Sequence, residues 1–348
     1  MTDRFASITG WGMYVPGHVV TNDDLAEQMD TSDEWIRSRS GIRERRFVEE
    51  GETTATMSVA AGEAALERAG VDPTELDLIL VATSSPDYLT PPVSSQIQHG
   101  LGAPGVGAMQ LTVGCTGFVY GLVTAQQFIQ AGTADTVLVI GAELISRWLS
   151  PENRGTAVLF GDGAGAVVMQ ATDEPCGIAG HVLGSDGSGA EHIIVPAGGV
   201  AQPTTHEALE ENLVNIKMNG REVFKFATRV LGRALNEALN DATMTADDID
   251  LFVPHQANAR IIEYAANEIG LSMDRVAMNV DRYGNTSAAS IPLALCEAFE
   301  EGRIQPGDTL ALVAFGAGLT WAAAIVELAT EMPALSTVAR EDTEAAVA

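Results

Sequence analysis

EAALERAGVDPTELDLIL, residues 63–80, lines up without a gap on NEALNDATMTADDIDLFV, residues 236–253. Each stretch reads as a helix, an acidic turn and an apolar strand. Ala65, Leu66, Ala69, Asp77 and Leu78 meet Ala238, Leu239, Ala242, Asp250 and Leu251, an offset of 173 at every pair. The same offset returns further along. FVYGLVTAQQFIQ (118–130) matches IPLALCEAFEEGR (291–303), with Leu122 and Ala125 meeting Leu295 and Ala298. Asp135-Thr136 ahead of VLVIG likewise matches Asp308-Thr309 ahead of LALVAF. Chance is a poor account of so many pairings in one register, so the chain reads as two copies of an α/β unit. The copies are placed at residues 1–175 and 176–330. Apolar strands alternating with helices predict mixed or parallel sheets covered on both faces. The tail, 331–348, loses the pattern and is expected to be mobile.

Length and composition suit two packed units. The chain has 348 residues, 46% of them hydrophobic, with 35 glycines, which predicts a compact globular protein. No stretch approaches the roughly 20 uninterrupted apolar residues of a membrane span, so no membrane insertion is expected. The start, MTDRFASITGWGMYVPG, lacks the basic opening and apolar run of a secretory signal. Cys115, Cys176 and Cys296 are odd in number and far apart, unlike a disulfide framework. The expected compartment is therefore a reducing cytoplasm. A balance of 19 basic against 47 acidic residues gives a net charge of −28, which argues against nucleic acid as a partner. No His/Cys/Asp/Glu spacing suggests a metal site. No resident cofactor is expected.

The repeat also places the candidate chemistry. Cys115, in QLTVGCTGFVYGL, falls opposite Ala288 at the start of a long apolar helix. Gly114, Thr116 and Gly117 are small enough to let a substrate reach the sulfur. A helix N-terminus favours negative charge, which predicts a lowered thiol pKa. A buried structural cysteine is the alternative, and Cys176 and Cys296 are read that way. His255, in FVPHQANARII, follows the repeated strand and falls opposite Ala82. Asn285, in DRYGNTSAAS, sits in a glycine turn running into a helix. Taken singly, His255 reads as a core or cap residue and Asn285 as turn chemistry. Together they offer a nucleophile and two hydrogen-bonding groups at symmetry-related strand-to-helix edges.

A series of stretches then makes the chain resemble the 3-oxoacyl-[acyl-carrier-protein] synthase III family of thiolase-like condensing enzymes over residues 5–328. They are TSDEWIRSRSGIRERR (31–46), GCTGF (114–118), RGTAVLFGDGAGAVV (154–168), VPHQAN (253–258), YGNTSAAS (283–290) and FGAGLTW (315–321). The resemblance implies a five-layered α-β-α-β-α fold and a homodimer. It implies a catalytic set of Cys115, His255 and Asn285, with an oxyanion hole from the backbone N–H groups of Cys115 and Ala317. The implied reaction acylates Cys115 from acyl-CoA and condenses the acyl group with malonyl-[acyl-carrier-protein], releasing carbon dioxide. Thr31, Trp35, Arg39 and Arg154 match the family's CoA contacts, with Trp35 and Arg154 sandwiching the adenine. Phe160 matches a channel residue. Thr90, in SSPDYLTPPVSSQ (84–96), matches a position at the floor of the acyl pocket, where its small side chain predicts primers longer than acetyl. A thiolase would need a second cysteine near FGAGLTW, which has none.

FGDGAGAVV (160–168) lacks the Lys-Ser/Thr of a phosphate loop and reads as close backbone packing. Both lysines of the chain lie in KMNGREVFKFATRVLGR (217–233). There Lys217, Arg221, Lys225, Arg229 and Arg233 recur every four residues, which on a helix from about Gly220 forms one stripe. A solvated helix face is the bland reading. On so acidic a chain the stripe instead predicts docking of an acidic partner, and the resemblance adds Lys225 and Arg260 as carrier contacts. Two other activities stay open. One is a related acyltransferase of specialised metabolism with another acceptor, and the other is a cysteine thioester hydrolase.

Overall fold

The structure, a computed structural model, describes residues 4–331. The tail expected to be mobile lies outside the described residues except for Glu331. Two sheets carry the fold. The first contains β1 (Phe5–Tyr14), β2 (Leu78–Ala82), β3 (Gly107–Leu111), β4 (Thr136–Glu143) and β5 (Gly163–Thr172), in the order β1-β5-β4-β2-β3. The second contains β6 (Gly177–Ser185), β7 (Leu251–Pro254), β8 (Thr309–Gly316) and β9 (Thr320–Glu327), in the order β6-β9-β8-β7. Shifting β1, β4 and β2 by 173 residues gives β6, β8 and β7, while β9 takes the place of β5 at a shorter offset, so the strand order itself repeats. In both sheets the equivalent pair is parallel (β4 with β2, β8 with β7), as is β2 with β3, while β1 with β5, β5 with β4, β6 with β9 and β9 with β8 are antiparallel.

The period of two along the strands assigns each face. Val137 and Val139 of β4 and Leu310 and Leu312 of β8 point into one central core. Leu138 and Ile140 point the other way, onto α2 (Thr54–Ala69), through Met57, Ala61 and Ala65. Ala311 and Val313 point onto α4 (Gly220–Ala242) and α5 (Ala259–Glu268). The central core is filled by α3 (Gly117–Gln130) and α6 (Ser290–Glu300), through Phe118, Leu122, Ile129, Leu295 and Phe299. The result is five layers, α-β-α-β-α, with the near-continuous apolar strands that burial on both faces demands. No described helix is long and apolar enough to cross a membrane.

Local signals start and stop the helices as physics requires. Thr53 caps α2 by accepting from the Thr56 N–H, and Asn219 caps α4 by accepting from the Glu222 N–H. The helix α4 therefore begins at Gly220, and Lys217 lies outside it in a two-residue strand. The glycine-rich stretch around β5 serves close packing. A Cβ at Gly161 would lie 2.2 Å from the Tyr283 carbonyl oxygen, and one at Gly165 2.7 Å from the Pro292 side chain. That approach presses β5 and its entering loop onto the segment carrying Asn285.

Candidate active site

Cys115 sits in a single 3₁₀ turn, Gly114–Thr116, that leads into α3. The equivalent turn, Ser287–Ala289, leads into α6. The two turns meet at the junction of the halves together with the end of β8. A Cβ on Gly316 would lie 2.7 Å from the Cys115 nitrogen, so only glycine lets the β8 backbone approach the nucleophile this closely. The backbone N–H groups of Cys115 and Ala317 both bear on the Cys115 sulfur.

His255 directly follows β7, and its N–H donates to the Val313 carbonyl at 2.8 Å. Its ring packs edge-on against Phe315, with centroids 5.4 Å apart, and Nδ1 lies 2.6 Å from the Ser290 Oγ. Burial pushes the imidazole down to about 3, so it is neutral at physiological pH. Asn285 pairs with Phe160 across an isolated parallel bridge. Its Oδ1 accepts from the Ser287 N–H at 2.8 Å, which turns the amide nitrogen into the role of donor.

Cys115, His255, Asn285, Phe160 and Ala317 line one cavity of about 510 Å³. Its inner walls are apolar, from Ile145, Val158, Leu159 and Phe315. Its outer lining includes exposed Arg39, Phe224 and Arg260, which mark the mouth. At that mouth the Arg154 and Arg39 guanidinium groups lie 4.6 and 4.8 Å from the centroid of the Trp35 ring. Arg154 also donates to the Asp30 carbonyl. A ring held between Trp35 and Arg154 needs two van der Waals separations, roughly 7 Å in all, so Arg154 must swing aside to admit one. Thr31 stands on the segment before α1 (Asp33–Ser40), which carries Trp35 and Arg39. Arg221, Lys225 and Arg229 form an exposed row on α4, beside the mouth residues Gly220 and Phe224. Lys225 is paired with Glu222 at 2.7 Å, and Arg233 rests on the Trp321 ring at 4.9 Å.

Two expectations change. The Cys115 thiol is not lowered but raised, to about 12, because it is buried and faces the Glu143 carboxylate. The Ser287 hydroxyl and the backbone N–H groups at the sulfur do not outweigh those two effects in the resting site. Thr90 does not line the cavity of its own chain. It is exposed, in a loop where Tyr88 and Leu89 are 60% and 85% exposed, because Asp87–Pro92 runs outward before α-helical structure resumes at Val93.

Sequence reading missed Ser287, Ser290 and Glu143. Ser287 Oγ lies 3.3 Å from the Cys115 sulfur, and Ser290 holds His255. Glu143 is completely buried at the end of β4, where it accepts from the Ser84 N–H, the Ser85 hydroxyl and the Ser287 hydroxyl. A carboxylate closing an all-apolar strand was the available signal.

The chain matches the family models described as 3-Oxoacyl-[acyl-carrier-protein (ACP)] synthase III over residues 109–187 and as its C-terminal region over residues 239–328. It is 50% identical over 323 residues to the Beta-ketoacyl-[acyl-carrier-protein] synthase III of Roseiflexus sp. (strain RS-1), covering 93% of this chain and 98% of that protein. The crystal structure of 3-oxoacyl-[acyl-carrier-protein] synthase III from Aquifex aeolicus superimposes with a TM-score of 0.86 at 41% identity, covering 92% of this chain and 99% of that one. The priming beta-ketosynthase from the R1128 polyketide biosynthetic pathway superimposes with a TM-score of 0.87 at 36% identity, covering 95% and 98%.

Proposed function

This chain belongs to the 3-oxoacyl-[acyl-carrier-protein] synthase III family, whose members are acyltransferases that initiate fatty-acid synthesis by condensation, and we propose that Cys115, His255 and Asn285 run that reaction here. The observation that carries the assignment is their convergence on one apolar-walled cavity, with two backbone N–H groups at the sulfur.

In this reading an acyl-CoA thioester enters past Trp35 and Arg39 and is attacked by the Cys115 sulfur. The N–H groups of Cys115 and Ala317 hold the oxygen as it becomes negative. Malonyl-[acyl-carrier-protein] follows with its thioester carbonyl between His255 and Asn285. Ser290 donating to His255 Nδ1 leaves the hydrogen on Nε2, so the neutral ring donates a hydrogen bond and keeps its proton. Asn285 Nδ2 is the second donor. As carbon dioxide leaves, these donors stabilise the enolate, each worth roughly 3 kcal/mol. The carbanion attacks the acyl-Cys115 carbonyl and releases 3-oxoacyl-carrier. Side chains and backbone supply every step, so the reading calls for no cofactor.

The finer assignments rest on specific features. The α4 row of Arg221, Lys225 and Arg229, with Arg260 at the mouth, suits an acidic carrier protein. Unpaired Cys115, Cys176 and Cys296 suit a cytoplasmic enzyme. The exposed apolar loop at Tyr88 and Leu89 suits a homodimer contact, which would let Thr90 reach a cavity other than its own.

Mass spectrometry after incubation with a panel of acyl-CoAs tests the core of this reading. One acyl adduct is expected, on Cys115, and absent in Cys115→Ala. Transfer onto malonyl-carrier rather than malonyl-CoA or a small nucleophile is expected next. An adduct on Cys176 or Cys296, or hydrolysis without a new carbon–carbon bond, would defeat it.

A further inference from the structure

We propose that Ser287 and Glu143 form a proton relay for Cys115: the thiol proton passes to Ser287 as the Ser287 proton passes to Glu143, where it is held until the sulfur is released. This rests on Cys115 being the nucleophile. It adds an activating pair that the His255/Asn285 assignment leaves unfilled, since His255 is neutral, engaged with Ser290 and resists protonation.

The geometry is continuous. Ser287 Oγ lies 3.3 Å from the Cys115 sulfur and 3.0 Å from Glu143 Oε1. One hydroxyl has one hydrogen, so when it donates to the carboxylate its oxygen is open to accept from the thiol. Glu143 is completely buried, yet it is surrounded by donors: Ser84 N–H at 3.1 Å, Ser85 Oγ at 2.5 Å and Ser287 Oγ. Burial, the larger influence, raises its pKa and readies it to take a proton, while these donors favour the carboxylate form. Among the described residues no Arg, Lys or His forms an ion pair with it. Cys115 is the titratable group that its charge opposes, and His255, with Arg39 and Arg260 at the mouth, makes up the other titratable groups lining the cavity. A buried thiol and a buried carboxylate share one proton more easily than both can ionise.

The backbone gives an independent sign. Under the repeat Ser287 occupies the place of Gly114, and both adopt a left-handed conformation, with φ of 51° and 61°. Glycine adopts that conformation without strain, whereas the Cβ of a serine crowds the backbone there. The strained residue is the one whose hydroxyl touches the reacting sulfur, as expected when strain is kept for function.

The proton balance closes. In acylation the sulfur–carbonyl bond forms, the CoA thioester bond breaks with its electron pair on the CoA sulfur, and the Cys115 proton ends on Glu143. The CoA thiolate takes its proton from solvent. In condensation the carbanion displaces the Cys115 thiolate, which recovers the stored proton through Ser287. Ser287 touches the reacting atom and is catalytic. Glu143 acts through it, as a positioning residue that fixes the direction of the hydroxyl.

The test uses full-length protein and iodoacetamide, which needs no knowledge of the primer, with Cys115 alkylation followed by peptide mass from pH 5 to 9. Glu143→Gln and Ser287→Gly are compared with wild type. Ser287→Gly suits the left-handed backbone and keeps the fold while removing the hydroxyl. Both variants are expected to alkylate about 100-fold more slowly near neutrality. Wild type should show a plateau that falls on the acid side as Glu143 is protonated. The variants should instead rise about tenfold per pH unit through neutrality, as the thiol ionises unaided. Charge alone predicts the reverse, because removing the Glu143 carboxylate eases thiolate formation. Equal or faster alkylation in Glu143→Gln, with the acid limb unchanged, would overturn the relay. Wild-type Cys115 that is alkylated but never acylated by acyl-CoA would instead sink the nucleophile assignment, which separates the two failures.

Discussion

At the scale of single residues, the site consists of groups whose chemistry is set by burial. His255 is the clearest case, held down to about 3 by desolvation. The unfolded chain protonates this histidine near 6.5, whereas the folded chain resists until about 3. Between those values the unfolded state binds more protons, so the stability contribution is full above pH 6.5 and is lost as pH falls. The slope from one such group is up to about 1.4 kcal/mol per pH unit. His255→Asn, which cannot titrate there, should therefore show a shallower loss of urea stability between pH 6.5 and 5 than wild type. Parallel losses would mean that the imidazole is not kept neutral by the fold. Glu143 and Cys115 follow the same rule with the opposite sign, both raised because an anion is disfavoured where they lie.

At the scale of elements, the repeat allows one half to predict the other. The helix α2 ends at Gly70 with φ of 66°, and α4 ends at the equivalent Thr243 with φ of 59°. Both close the helix in the left-handed conformation, which suits glycine and disfavours a β-branched residue. Thr243 is exposed, so no packing is lost by changing it. Thr243→Gly should raise unfolding stability by about 1 kcal/mol, part of the relieved strain being offset by the freer unfolded chain. A destabilised variant would show that the threonine side chain is needed at the cap. The same helix, α4, carries the basic row. Reversing Arg221, Lys225 and Arg229 to Glu should raise KM for malonyl-carrier at least tenfold and KM for acyl-CoA little, with the wild-type preference eroded by added salt. Equal losses for both substrates would place these residues at the CoA mouth instead. Lys225 is already paired with Glu222, so Arg221 and Arg229 are expected to contribute more per charge.

At the scale of the whole molecule, the two halves share one helical layer. The helices α3 and α6 pack into a single core with strands from both sheets, and Cys115 and Ser287 stand at their starts. Any movement between the halves therefore moves the nucleophile against its partners. Thr90 belongs to this scale as well, because it lies outside its own cavity. Thr90→Phe should leave the acyl-chain profile unchanged in any form of the protein where a cavity is built from one chain. A shift toward acetyl-CoA, measured on acylation rates across chain lengths, would show that a second copy brings its 84–96 loop to the site. Gel filtration of the same sample decides which form is being assayed.

The sequence alone determined the repeat and the alternation of helices with apolar strands, and it singled out the three residues that line one cavity. These are legible because an apolar period, a cap or a glycine turn is written in neighbouring residues and recurs at an offset of 173. Tertiary structure alone decided that Glu143 and Ser287 join Cys115, although 28 and 172 positions of sequence separate them from it. It also decided that the Cys115 thiol is raised and that Thr90 faces away from the cavity. A local pattern specifies which face of an element is buried, but pKa and reach depend on which distant atoms replace water around a group. Only packing of the two halves supplies those atoms.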